Sequence, residues 1–91
     1  MYNIQYTNRF KKDYKLCTKR GLNIELLKEV IVILEATGTL PPKYKPHPLK
    51  GKFQEFMECH IQPNWLLVWQ QNDKELILLF TNTGTHADLF Y

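Results

Sequence analysis

Three histidines, the residue type best suited to moving protons, stand out by position: His47 between Pro46 and Pro48, His60 near the end of an alternating apolar run, and His86 in a polar tail. Imidazole has the ordinary pKa nearest neutrality, so it serves as donor or acceptor at physiological pH. On spacing alone the three are either unrelated surface groups or parts of one acid–base site. They lack the short fixed offsets of metal ligands, so no metal and no cofactor is expected. The chain has no serine, no Gly-rich phosphate loop and no paired carboxylates at a defined spacing, which leaves serine nucleophiles, P-loop hydrolysis and glycosidase chemistry without support. Cys17 falls on a helical apolar stripe and Cys59 on the inward side of a strand, so both read as packing. RNA cleavage passes this filter. The 2′-hydroxyl of the substrate attacks the adjacent phosphate, and the protein supplies a base, an acid and cations. Trp65 and Phe90 are candidates to stack on bases, or else a core tryptophan and a C-terminal plug.

Charge and length agree with that chemistry. Ninety-one residues make one domain, 1–91, with a thin core. Residues 1–52 carry eleven of the twelve Lys and Arg against four acids, a local balance of +7, while residues 53–91 stand at −4. Such asymmetry suits a surface that meets a polyanion, and equally two well-solvated basic helices. Two cysteines make a poor disulfide framework, and there is no long apolar run or export signal, so a cytoplasmic protein without a membrane segment is expected.

The elements that must position these groups follow from pattern. Tyr2 to Tyr6 reads as a strand. Thr7 or Asn8 caps a helix to about Arg20, with Phe10, Tyr14 and Cys17 on one face and Gly21 at the stop. Asn23 caps a second helix to about Ala36, its stripe being Ile24, Leu27, Ile31 and Leu34, and Gly38 ends it; the β-branched run Val30 to Ile33 also passes for a strand. Four of the five prolines fall between Thr39 and Lys52, so that segment reads as an extended loop with neither helix nor ladder. Phe53 to Ile61, Trp65 to Trp69 and Glu75 to Thr81 read as three antiparallel strands, with turns at Pro63-Asn64 and Gln71 to Lys74. On the first of these Met57, Cys59 and Ile61 share one face and Phe56, Glu58 and His60 the other. The tail from Asn82 to Tyr91 has room for a helical turn. The expected fold is α+β, a small antiparallel sheet with an N-terminal two-helix hairpin on one face.

Three blocks in order, Lys45-Pro46-His47-Pro48-Leu49-Lys50-Gly51, Glu58-Cys59-His60-Ile61-Gln62-Pro63-Asn64-Trp65-Leu66-Leu67-Val68 and Thr83-Gly84-Thr85-His86-Ala87-Asp88-Leu89-Phe90, resemble those of YafQ-like toxins in the RelE superfamily. The resemblance covers nearly the whole chain. It implies the RelE-like fold, a ribosome-dependent endoribonuclease that cuts messenger RNA, and a cognate antitoxin of the DinJ/RelB kind whose flexible C-terminal segment wraps the toxin. It also implies roles for His47, His60, Trp65, His86 and Phe90. His86 would be the general acid, His60 and His47 the base or an orienting group, and Phe90 would position the nucleotide. Lys50 and Lys52, beside His47, are added as phosphate contacts. The family usually has Asp where this chain has Asn64 and Arg where it has Asn82. Asparagine still hydrogen-bonds but neither takes up a proton as a base nor neutralises a phosphate. Either the two changes compensate each other, or the chain is a weakened enzyme, in the limit a module that docks on ribosome or antitoxin without cleaving. A gyrase-directed action, as in ParE-like proteins, ranks behind both because that branch lacks the triple-histidine pattern.

Overall fold

The computed structural model describes residues 1–53 and 55–90, leaving aside the side chains of Phe53 and Phe90. Strand β1 (Asn3–Tyr6) leads into helices α1 (Asn8–Lys19) and α2 (Ile24–Thr37). A 3-10 turn at Pro42–Tyr44, strand β2 (His47–Pro48) and a second 3-10 turn at Gly51–Phe53 follow, and then β3 (Phe56–Gln62), β4 (Trp65–Asn72), β5 (Ile77–Gly84) and α3 (His86–Phe90). The caps are the ones the sequence advertises. Thr7 Oγ1 accepts from the Phe10 N–H at 3.0 Å and donates to the Thr81 carbonyl at 3.0 Å, so the cap also ties α1 to β5. Asn23 accepts from the Glu25 N–H at the start of α2. Gly38 closes that helix at φ 72°, and a Cβ there would run into the Tyr2 ring, so two independent constraints select glycine.

The sheet has five strands in the order β1-β5-β4-β3-β2. The β3–β4 and β4–β5 pairings are antiparallel, as expected, and β2 joins β3 antiparallel as well, but β1 lies parallel to β5 at the outer edge, with Asn3 opposite Ile77 and Tyr6 opposite Phe80. Four residues carry no signal about their partner; the α1–α2 hairpin decides it, by returning the chain across one face so that the first strand borders the last. The purely extended loop expected for 39–52 is corrected. Pro42 sits at the start of a 3-10 turn, where its missing N–H is no loss, and His47–Pro48 pair with Glu58 and Met57 at the sheet edge, where proline is tolerated.

Both long helices cover one face. Phe10 and Cys17 of α1 and Leu27, Val30 and Leu34 of α2 close over Cys59, Trp65, Leu67, Trp69, Leu78 and Phe80. The Val30–Ile33 run is therefore helical, with Val30 joining Leu27 and Leu34 inside while Ile24 and Ile31 are half-buried. One acid enters this interior. Asp13 Oδ2 accepts from the Thr83 N–H at 3.2 Å, and Oδ1 accepts from Arg9 Nε at 2.9 Å. Thr83 Oγ1 in turn accepts from Trp65 Nε1 at 2.9 Å and donates to the Leu66 carbonyl at 2.8 Å. Thr83→Val keeps the shape and strands the buried indole N–H, so unfolding in urea is expected to show a loss of about 1–3 kcal/mol. An unchanged midpoint would show that the indole finds another acceptor.

Candidate active site

The sheet register assembles the site on the face turned away from the helices. His47, Glu58, Val68 and Asn82 stand abreast across β2 to β5, and His60, Leu66 and Gly84 form the next rung. Residues two apart on a strand share a face, so His47, Glu58, His60 and Asn82 all look outward, opposite Cys59. The rings of His47 and His60 lie 6.3 Å apart between centroids. Beside them at the sheet surface is Glu58, only 7% exposed. Its Oε1 is 3.1 Å from His47 Nε2, and its buried Oε2 has no hydrogen-bond partner among the described residues.

The hydrogen bonds fix what each ring offers. His47 Nδ1 is 2.7 Å from the Lys45 carbonyl, which the left-handed backbone of Lys45 (φ 50°) turns towards it. Acceptors therefore face both nitrogens of His47. A neutral imidazole has one N–H, so the pair is either imidazolium with carboxylate or neutral ring with carboxylic acid; in both cases one transferable proton is held between them. His60 Nδ1 lies 3.3 Å from the Pro63 carbonyl, so Nδ1 carries the hydrogen and the Nε2 lone pair is the basic one. A shallow pocket of about 230 Å³ beside His60 is rimmed by Lys43 and Lys45. These two lysines and Glu58 are site residues that the sequence reasoning did not single out, although Lys45 and Glu58 lie inside the quoted blocks. Their signal was adjacency to a histidine. Lys50 and Lys52 are exposed at the second 3-10 turn.

His86 opens α3 two residues beyond Gly84, which lies two strands, or about 10 Å, from His60 across the sheet. That helix is held by Asp88. Its carboxylate receives Arg20 at 2.6 and 3.3 Å and the Thr85 N–H at 2.9 Å, and Arg9 donates to its carbonyl at 3.1 Å. Gly84 makes room for the clasp: at φ 156° a Cβ would lie 2.9 Å from Asp88 Oδ2. The Arg20 guanidinium, and after it the Thr85 N–H, hold the Asp88 carboxyl down at about 2. Trp65 does not stack on a substrate base: it is 2% exposed with its indole bonded to Thr83, so the core reading is correct. Asn64 is exposed at the β3–β4 turn, whereas Asn82 is half-buried opposite Val68, four residues along β4. The two asparagines are thus not neighbours, some 13 Å separating their positions along the strand. The Phe90 side chain, expected to position a nucleotide, lies outside the described residues. Burial first, then Glu58, pushes the Cys59 thiol up to about 12, and burial raises Cys17, which removes both as nucleophiles. Among the described residues no group of three or more His, Cys, Asp and Glu is disposed to hold a metal, and no helix is long and apolar enough to cross a membrane.

Comparison with known proteins bears on this geometry. The family model described as the bacterial toxin of type II toxin-antitoxin systems, YafQ, matches residues 2–91. The chain is 39% identical over 89 residues to the mRNA interferase toxin YafQ of Escherichia coli K12, covering 97% of this chain and 95% of that one. It is 27% identical over 89 residues to a putative toxin YafQ of Haemophilus influenzae, covering 92% and 87%. Among solved structures, the E. coli DinJ–YafQ toxin-antitoxin complex superposes with a TM-score of 0.89 at 37% identity, covering 99% of this chain and 98% of that one. A metal-bound toxin from Helicobacter pylori gives a TM-score of 0.90 at 41% identity, covering 99% and 100%.

The depressed Asp88 carboxyl makes the tail clasp acid-sensitive in a defined window. A lowered folded-state pKa stabilises fully above the ordinary 3.8 and loses that effect as pH falls through about 2. Tail amide shifts should therefore stay constant from neutral pH to about 4 and move below about 3. In Asp88→Asn the Leu89 amide, bonded to Thr85 O at 3.2 Å, should exchange faster at all pH values. Equal exchange in the variant would mean that Arg20 does not hold α3.

Proposed function

The chain belongs to the YafQ family of bacterial type II toxin-antitoxin toxins, and from that premise we propose that it is an endoribonuclease that cleaves messenger RNA on the ribosome and is restrained by a cognate antitoxin. The observation that carries the chemistry is the His47–Glu58–His60 cluster on the open sheet face, with His86 leading α3 at the same end of β5. His60, with Nδ1–H on the Pro63 carbonyl, takes the proton from the RNA 2′-hydroxyl. The resulting oxyanion attacks the adjacent phosphorus, the bond to the 5′ oxygen breaks, and His86 protonates the leaving oxygen. The products are a 2′,3′-cyclic phosphate and a 5′-hydroxyl, with no covalent enzyme intermediate. His47, held between Glu58 and the Lys45 carbonyl, presents positive charge or a proton to the phosphate edge, and Lys43, Lys45, Lys50 and Lys52 screen neighbouring phosphates. Phe90 stacks on the nucleotide by resemblance, and Asn64 and Asn82 hydrogen-bond to it. The relative solved with DinJ supports an antitoxin of that kind as partner, and the relative named mRNA interferase supports the substrate.

Asn64 and Asn82 favour a second reading, in which the fold binds without cutting. An absent charged contact typically costs about 10²–10³ in rate, enough to silence a modest nuclease. Expression of the chain without its antitoxin separates the two. Growth arrest with newly cut transcripts is expected, and intact transcripts in growing cells would favour the binding module. His86→Ala is expected to lower cleavage in a translating extract by about 10²–10⁴-fold with the fold intact by circular dichroism; full cleavage by that variant would refute the assigned acid.

A further inference from the structure

The open sheet face does not end at the histidines. Beyond the rung of His47, Glu58, Val68 and Asn82, a further rung sets Gln5, Leu79, Gln70 and Phe56 abreast across β1, β5, β4 and β3. Gln70 shares its side of β4 with Val68 and Leu66, so this rung looks the same way as Glu58 and His60. A shallow pocket of about 300 Å³ opens there, lined by the amides of Gln5, Gln70 and Asn72, by Glu55, and by half-buried Ile77 and Leu79. Among the described residues no Lys or Arg lines it, and the side chains of Gln5, Gln70 and Glu55 make no hydrogen bond within the protein. The pocket thus offers polar groups without internal partners above an apolar floor, on the face that carries the acid–base cluster.

We propose that this pocket reads one base of the RNA strand, selecting a base that carries an exocyclic amino group, adenine or cytosine, over uracil. The proposal rests on the RNA-cleavage reading and adds to it a specificity subsite outside the histidine cluster. The Gln70 rung lies four residues, about 13 Å, along β4 from Leu66, the partner of His60. A strand cut beside His60 therefore meets the pocket with a neighbouring base and not with the bond being broken. Charge decides which part of a nucleotide enters. Phosphates are drawn to Lys43 and Lys45 beside His60, whereas Glu55 repels them here, so the uncharged base is what fits. Ile77 and Leu79 take its flat face. At its edge, a glutamine amide donates and accepts side by side, which matches the amino group and N7 of adenine. A carboxylate only accepts, which matches the amino group of cytosine. Uracil presents two carbonyls and sets an oxygen against Glu55.

The test maps transcript ends in a translating extract for wild type, Gln70→Leu and Glu55→Gln, with circular dichroism to check the fold; Glu55 is exposed, so its substitution leaves packing alone. At one fixed position near the cut, wild type should favour adenine or cytosine over uracil by about 10–100-fold. Gln70→Leu should bring that ratio close to unity. Glu55→Gln, which adds a donor, should move the preference towards uracil. A second measurement needs no cleavage. The side-chain amide resonances of Gln5 and Gln70 should shift on titration with 2′-O-methyl tetranucleotides of adenine or cytosine and stay in place with those of uracil. Cleavage without base preference, or with the same preference in all three chains, would overturn the subsite and leave the nuclease standing. Equal amide shifts with all three tetranucleotides would overturn it in favour of an RNA surface that reads no base. Weaker antitoxin binding by the variants with an unchanged cut pattern would overturn it in favour of a protein contact. Base-dependent amide shifts in a wild-type chain that never cleaves would uphold the subsite and sink the nuclease; no shift in such a chain would sink both.

Discussion

The structure turns on a short buried chain of hydrogen bonds centred on Thr83. Its N–H is held by Asp13 from α1, and its hydroxyl joins the indole of Trp65 to the carbonyl of Leu66. A carboxylate enters a hydrophobic interior only when its desolvation is offset, and Asp13 meets that condition with a backbone donor on one oxygen and Arg9 on the other. The consequence is positional: the C-terminal end of β5 is fixed both to the helices and to β4 immediately before Gly84 and His86. A five-residue helix is too short to hold itself, so α3 depends on this anchored strand end and on the Arg20–Asp88 clasp.

Across the sheet, a second constraint shapes the chemistry. Glu58 is nearly buried on an otherwise open face, so its hydrogen bonding is directed at His47 instead of being shared with water. The strained Lys45 backbone supplies the other acceptor, which ties the ring in one orientation and gives the proline-rich segment a purpose: Pro46 and Pro48 stiffen the approach on either side of the histidine. Edge placement matters here too. Because β2 is only two residues long and terminates the sheet, His47 stands beside Glu58 without another strand covering it.

The two faces of one thin domain thus differ in character. Helices α1 and α2 cover one side and carry six of the twelve Lys and Arg residues. The other side exposes histidines and backbone-anchored polar groups. Asn82 belongs to that second side, held opposite Val68 by the β4–β5 register.

What the sequence determined by itself is everything governed by local chemistry. Helix limits followed from Thr7, Asn23 and Gly38, because caps and left-handed stops act within a few residues. The first of the three central strands and the outward direction of His60 followed from period-two alternation, the other two strands from continuous apolar runs, and the exclusion of serine and P-loop chemistry from composition. The candidate proton-transfer residues were legible as types, through the three blocks. Tertiary structure alone decided the rest, because it depends on contacts between residues far apart in the chain. The partner of β1, the pairing of proline-bearing β2 with β3, and the burial of Trp65, which removes it from any stacking role, are all of this kind. So are Glu58, whose proximity to His47 arises from strand register, and Asp13, an acid on a lysine-rich helix that only the fold turns inward. Pattern reports which face of its own element a residue occupies; what stands opposite that face is fixed only when the elements pack.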